Sequence, residues 1–312
     1  MSAPLIDIHT HVFPSAAVGA WVKSDCEIWE YGHSDEVPYS PIPGDMYDLR
    51  ATVRECGLDY VVAVNCFSIE EWQDRSFRGL TDGLARSRPR DGAPGSVLVE
   101  WLVGVNEWLV EATAADSALI PFVAIDPWVL PAPAAIPHLT HMRESGARGV
   151  KLHPVAQRCR VDDEATRDLL RACADLDLVV LAHSGAARGQ VPFAEPSTFR
   201  ALHDIPNLRI IIAHLGGGCW TQISKLAVDL PGAMFDLSEI IAWAGAPNAP
   251  TRTQLVELIR DVGVDRVLFG SDFPWYAPDE MMVALRELPG ISDAECEAIQ
   301  GGNAARLLSL AG

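Results

Sequence analysis

The chain has 312 residues, 24 Lys+Arg against 42 Asp+Glu for a formal net charge of −18, a hydrophobic fraction of 49% and a charged fraction of 21%. Those fractions are ordinary for folded domains and exclude an extended disordered or fibrous chain. The acidic balance argues against nucleic acid and anionic membranes as partners, because phosphate-rich surfaces are bound by neutralising them with Lys and Arg.

The opening stretch MSAPLIDIHTHVFP reads as a first strand, Leu5 to His9, and not as a signal peptide, since no basic segment precedes an apolar one. Further Val-, Ile- and Leu-rich strands are expected at Tyr60 to Asn65, Leu119 to Ile125, Gly149 to His153, Leu178 to His183, Leu208 to His214, Ala233 to Leu237 and Arg266 to Gly270. Between them lie helix candidates near 45 to 56, 97 to 115, 133 to 145, 163 to 175, 197 to 204, 220 to 229, 251 to 262 and 278 to 288. Gly57 and Gly146 mark two of the helix ends. An amphipathic helix near 293 to 310 is placed to close the bottom or side of the molecule. Apolar runs such as Tyr60 to Val64 fall far short of the roughly 20 residues that cross a bilayer.

Strands alternating with helices over this length predict one distorted (β/α)8 barrel domain spanning 1–312, a fold of about 250 residues in its plain form. The surplus lies in residues 12–44 and 66–96, polar connections after the first two strands and candidate lids over the mouth. An open doubly wound sheet is the competing topology. It lacks support because His9-Thr10-His11 stands where a glycine-rich phosphate loop would be needed. The seven cysteines are odd in number, scattered and without a CxxC pair, which suits reduced packing thiols in a cytoplasmic protein.

Ligand-capable residues recur at the C-terminal ends of the strands, where barrel enzymes keep their chemistry. Strict alternation along strand 1 sends Asp7, His9 and His11 inward and Ile8 towards the helices. Strand 4 ends in Lys151-Leu152-His153, strand 5 in His183, strand 6 in His214 and strand 8 in Asp272. A lone buried histidine is usually a core residue. Several imidazoles and a carboxylate converging on one mouth are instead what a borderline cation such as Zn2+ needs, with a position left for water.

HxH on strand 1, GVKLHP on strand 4, LAHSG on strand 5, IIAHLGGG on strand 6 and GSDFP on strand 8 resemble the amidohydrolase superfamily, in its amidohydrolase-2 branch. The resemblance implies a metal held by His9, His11, His183 and Asp272, with His214 as a second-metal ligand or an acid/base group. It also raises Lys151 as a ligand: binuclear relatives carboxylate a strand-4 lysine that bridges two cations, whereas the decarboxylase relatives lack it. Carboxylated Lys151, an unmodified ammonium and a structural lysine all stay open. One or two Zn2+ ions are expected, Mn2+ being an alternative.

Such a metal would activate a water and polarise a substrate carbonyl or carboxylate. Asp272 is then expected to take a proton, and His214 to stabilise the developing oxyanion. His153, Arg188, Glu239 and Trp275 are candidate substrate contacts. Gly216-Gly217-Gly218 lacks the Lys-Ser/Thr of a phosphate loop and is read as close backbone packing. The main expectation is hydrolysis of a small-molecule amide, lactone or related C–N or C–O bond. The alternative is a non-oxidative decarboxylase or hydratase of an aromatic or unsaturated acid. A small-molecule substrate is expected, and a homodimer stays open because no residue pattern marks an interface.

Overall fold

The computed structural model describes residues 3–26, 30–32, 37–65, 94–186 and 191–310. Eight parallel strands pair in sequence order: β1 (Ile6–His11), β2 (Tyr60–Val64), β3 (Leu119–Ala124), β4 (Gly149–Leu152), β5 (Val179–Ala182), β6 (Ile210–Ile212), β7 (Met234–Asp236) and β8 (Val267–Leu268). The sheet closes where Ile8 N–H donates to Phe269 O (2.9 Å) and His11 N–H to Phe273 O (2.6 Å), with a parallel bridge between Thr10 and Phe273. This is the expected (β/α)8 barrel, and each of the eight predicted strands is in it.

The helices are α1 (Ala16–Asp25), α2 (Met46–Cys56), α3 (Pro94–Thr113), α4 (Ala132–Glu144), α5 (Pro154–Gln157), α6 (Glu164–Asp175), α7 (Pro196–Phe199), α8 (Ile223–Asp229), α9 (Arg252–Val262), α10 (Pro278–Arg286), α11 (Asp293–Glu297) and α12 (Asn303–Leu308). Local chemistry sets several boundaries. Asp45 and Asp48 form a capping box at the start of α2, which stops at Gly57 with φ +65°; Thr251 and Gln254 do the same for α9. The single helix expected over 293–310 is instead α11 and α12 joined by a π turn, Ala298–Gly302. At Gly301 a Cβ would lie 1.6 Å from Pro4 O, so the chain runs against the start of β1 with no room for a side chain. No helix among the described residues is long and apolar enough to cross a membrane.

Strand parity separates two layers. Val150 and Leu152 pack outward with the large helix-facing core, so Lys151 between them points into the barrel. Ile6, Ile8, Val62, Val179, Leu181 and Ile211 belong to a smaller interior cluster, joined by Ala304 and Leu308 of α12. Ile8 therefore faces inward, contrary to the alternation expected for β1. The reason is a register shift between Asp7 and Thr10 in the β1–β2 ladder. A bulge there adds a residue to β1 and lets Ile8 fill the interior while His9 and His11 still reach the mouth.

The connection after β1, the first candidate lid, begins with α1, capped by Ser15 Oγ accepting from Val18 N (3.3 Å). The Lys23 ammonium donates to Ile42 O (2.7 Å), Pro274 O (2.9 Å) and Ser40 O, tying this segment to the loop after β8. The second candidate lid, 66–96, falls almost wholly outside the described residues.

Candidate metal centre

His9 is oriented from behind. Its Nδ1 lies 3.1 Å from Asp236 Oδ2 and 2.9 Å from Ser238 Oγ. Asp236 is itself fixed: Oδ1 accepts from His214 N (2.8 Å), Ser238 N (3.1 Å) and Ser238 Oγ. A carboxylate facing Nδ1 holds the proton there and leaves a lone pair on Nε2. That nitrogen faces the mouth.

Around it stand His11 Nε2 at 3.2 Å, Asp272 Oδ1 at 3.3 Å and the Lys151 Nζ at 2.6 Å. His11 Nε2 is 3.4 Å from the same Asp272 oxygen. All four residues are buried. One donor atom each from His9, His11 and Asp272 lies within 4.8 Å of the others, a spread that fits one divalent ion. Two imidazole nitrogens and a carboxylate oxygen facing one another need a cation between them, so the donor set fits the metal the sequence implies. A second compact group, His9–His214–Asp236, does not: Ser238 Oγ already bonds His9 Nδ1, His214 Nδ1 (3.0 Å) and Asp236.

His214 stacks on His9 with centroids 5.2 Å apart. Its Nδ1 lies 3.1 Å from Ser238 O and its Nε2 3.1 Å from His183 Nδ1. His183 in turn stacks flat on His153 at 4.1 Å and 10°. His183 thus contacts His214 and His153 and is not part of the compact His9–His11–Asp272 group. His153 Nδ1 accepts from Ala156 N at the start of α5, the geometry of a support for His183.

Burial, reinforced by the positive charge of Lys151 or neighbouring rings, pushes His9, His153 and His183 well below the usual imidazole range, and His11 also down. These rings are neutral, as ligands must be. His214 goes the other way: burial lowers it, but the carboxylates of Glu239, Asp272 and Asp236 together outweigh that and raise it. For Asp272, burial is likewise overcome by His9 and His11, and its carboxyl sits far below the usual range. Glu239 is pushed up to about 8, mainly by burial.

Trp275 stands edge-on to His11 at 5.1 Å and 83° and is buried, forming an aromatic wall beside the donor set. Glu239 lies in the mouth beside His214 and Asp272. Arg188 lies outside the described residues. The sequence reading passed over Asp236 and Ser238, although Asp236 shares the parity of an inward strand end. It also passed over Glu30, whose Oε2 accepts from Ala186 N (2.7 Å) and Gly218 N (2.9 Å). A Cβ at Gly185 or Gly217 would lie 2.6 or 2.5 Å from that oxygen, so the glycines of LAHSG and HLGGG make room for Glu30. No local pattern signals that contact.

Inward imidazoles and carboxylates gathered at the C-terminal strand ends of a (β/α)8 barrel define a candidate metal-dependent barrel enzyme. The family model described as amidohydrolase matches residues 6–310, and the chain belongs to that family, in its amidohydrolase-2 branch. No curated protein sequence matches the chain significantly. Among solved structures it is similar to 5-carboxyvanillate decarboxylase from Sphingomonas paucimobilis, at 15% identity and TM-score 0.66 over 99% of this chain and 100% of that one. A manganese-bound dihydroxybenzoic acid decarboxylase from Polaromonas sp. gives 15% and 0.65 over 99% and 97%. A probable 2-pyrone-4,6-dicarboxylic acid hydrolase from Acinetobacter baumannii gives 15% and 0.58 over 98% and 99%. Likeness at this identity establishes the shared fold.

Proposed function

We propose that this protein is a metal-dependent, non-oxidative decarboxylase of an aromatic carboxylic acid. The observation that carries the reading is the place of the Lys151 amine, 2.6 Å from His9 Nε2 beside the His9–His11–Asp272 set, a lysine that in the sequence departs from the decarboxylase pattern. A fixed ammonium beside a cation position suits a substrate carboxylate. The expectation of hydrolysis rested on a carboxylated Lys151 bridging two ions, whereas several of the solved structures similar to this chain are decarboxylases. The alternative reading therefore replaces it, supported by the likeness to decarboxylases of hydroxylated benzoates.

Zn2+ or Mn2+ held by His9, His11 and Asp272 would supply Lewis-acid polarisation of the substrate's oxygens. Lys151 pairs with the carboxylate and orients it. His214 carries the transferable proton: protonated, it donates Nδ1–H to Ser238 O and Nε2–H to neutral His183, and the Asp272 carboxylate favours its charge. Asp272, held ionised, is the poorer proton carrier. As the C–C bond breaks, its electron pair passes to the ring carbon, which takes that proton, and CO2 leaves. Trp275 walls the reacting centre from water.

A second reading, lactone hydrolysis, is favoured only by the likeness to the probable pyrone hydrolase. The test is to load the purified protein with Mn2+ or Zn2+ and offer dihydroxybenzoates, 5-carboxyvanillate, pyrones and amides, following CO2 and acid release separately. Metal-dependent CO2 release is expected, abolished in His9→Ala. Cleavage of a pyrone or amide without CO2 from any acid overturns the proposal.

A further inference from the structure

His214 opens a run of four residues in left-handed backbone: His214 (φ +59°), Leu215 (φ +43°), Gly216 (φ +85°) and Gly217 (φ +53°). Two of the four carry side chains, for which this conformation has an energetic cost, so the run persists only where its surroundings hold it. Carboxylates hold both ends. Asp236 Oδ1 accepts from His214 N (2.8 Å) at the start, and Glu30 Oε2 accepts from Gly218 N (2.9 Å) just past the end.

The same Glu30 oxygen accepts from Ala186 N (2.7 Å), three residues beyond His183. One atom thus ties the loop that carries His183 to the loop that carries His214, and the two rings meet at 3.1 Å. Three glycines close around the carboxylate: a Cβ at Gly185 or Gly217 would lie 2.6 or 2.5 Å from Oε2, and one at Gly218 2.8 Å from Glu30 O. Glu30 belongs to the connection after β1, yet more than its side chain docks it here. Asn248 Nδ2 donates to Glu30 O (3.3 Å), Asn248 N donates to Tyr31 O (3.1 Å), and the Tyr31 ring stacks on Trp243 at 5.3 Å and 18°.

We propose that Glu30 is a positioning residue for the His183–His214 pair, and that Ala186 N, Gly218 N and the three glycines form a cradle for a carboxylate, which the Glu30 side chain fills. Two backbone N–H groups sharing one carboxylate oxygen make charge-assisted bonds of defined direction. Through them Glu30 fixes the far end of the strained run, and with it the ring that carries the transferable proton. Misplacement of such a ring by about 1 Å can cost roughly 100-fold in rate. The effect on turnover rests on the decarboxylase reading; the cradle and the placing of the two rings rest on the geometry.

Glu30→Ala empties the cradle, and sodium formate is the probe that can refill it. With metal loaded, kcat for CO2 release is expected to fall by about 10- to 100-fold in Glu30→Ala at unchanged metal content, and formate should restore part of it. Formate should also raise the melting temperature of Glu30→Ala and leave that of the wild type unchanged. In Glu30→Gln the amide oxygen takes over both N–H bonds and kcat stays near that of the wild type, a rescue that lost stability alone does not explain. In metal-free protein, the exchange-protected imidazole N–H between His183 and His214, read by nitrogen-edited NMR, is expected in the wild type and Glu30→Gln and absent from Glu30→Ala until formate is added. Wild-type kcat or an intact imidazole signal in Glu30→Ala overturns the positioning role, as does absence of the signal from the wild type. Formate without effect on the melting temperature of Glu30→Ala overturns the cradle. If Glu30→Ala does not fold, Glu30→Asp decides: it is one methylene too short to reach both N–H groups, and wild-type kcat or an intact signal there overturns the inference. The NMR and melting measurements need no substrate, so a wild type that releases no CO2 overturns the decarboxylase reading while they still decide the inference.

Discussion

The amine of Lys151 lies 2.6 Å from His9 Nε2, beside the donor atoms suited to a divalent ion. An ion held at His9 Nε2 would replace this bond and leave the amine to a substrate anion.

That exchange makes Lys151 separable from a carboxylated bridge. After chelation, activity should return on adding metal alone, with no dependence on bicarbonate. Lys151→Met should keep its metal and lose CO2 release by about 100-fold or more, the scale of a charge-assisted hydrogen bond worth roughly 3 kcal/mol. A bicarbonate requirement for reassembly, read by activity against metal content, would count against the ammonium.

Asp236 acts on the metal through His9. In Asp236→Asn, the amide oxygen takes over the bonds from His214 N and Ser238 N, and its NH2 then faces His9 Nδ1. The imidazole must accept there and carry its proton on Nε2, which turns the ligand nitrogen into a donor. Metal affinity should fall by about 10- to 100-fold with little change in melting temperature. Unchanged affinity in a metal-competition assay would refute this role.

Away from the mouth, His138 makes the fold acid-sensitive. Asn106 is clamped on Ala124, with Oδ1 accepting from Ala124 N (2.8 Å) and Nδ2 donating to Ala124 O (2.9 Å). The same Nδ2 meets His138 Nε2 at 3.1 Å, so that nitrogen must accept. Burial, then the neighbouring His141, lower the His138 pKa from 6.5 to about 4. The unfolded chain therefore binds more protons between those values, and stability is lost as pH falls from about 6.5 to 4. The loss should be about 1–3 kcal/mol, allowing for partial solvent screening. Urea melts at pH 7 and 4.5 should show it for the wild type and a smaller difference for His138→Gln.

Gly217→Ala probes the latch between Glu30 and the loop after β6. The new Cβ would lie 2.5 Å from Glu30 Oε2 in a residue at φ +53°, with Glu30 pinned by two backbone N–H groups. A destabilisation of about 1–3 kcal/mol is expected from crowding and backbone strain. Glu30→Gln, which keeps an acceptor oxygen, should cost less. Equal melting temperatures for Gly217→Ala and the wild type would show that the contact is loose.

Much of this protein is legible in one dimension. Most strands are short apolar runs, α2 and α9 open on capping boxes and end at glycine, and His9, His11, Lys151, His183, His214 and Asp272 announce themselves by ending strands, because parallel strands in a barrel all end at one mouth. What needed the closed barrel is the pairing among them. The β1 bulge overrides strict alternation because Ile8 and His9 must serve the interior and the mouth from adjacent positions. Asp236 reaches His9 across 227 residues, Lys151 meets His9 across 142 and Glu30 crosses 188 to Gly218. Contacts at such separations leave no local periodicity, since the sequence between them is spent on other strands and helices. Strand-end chemistry is a property of the chain, whereas the proton positions on the imidazoles and the place of the lysine amine arise only when the ends of eight strands are brought within a few ångströms.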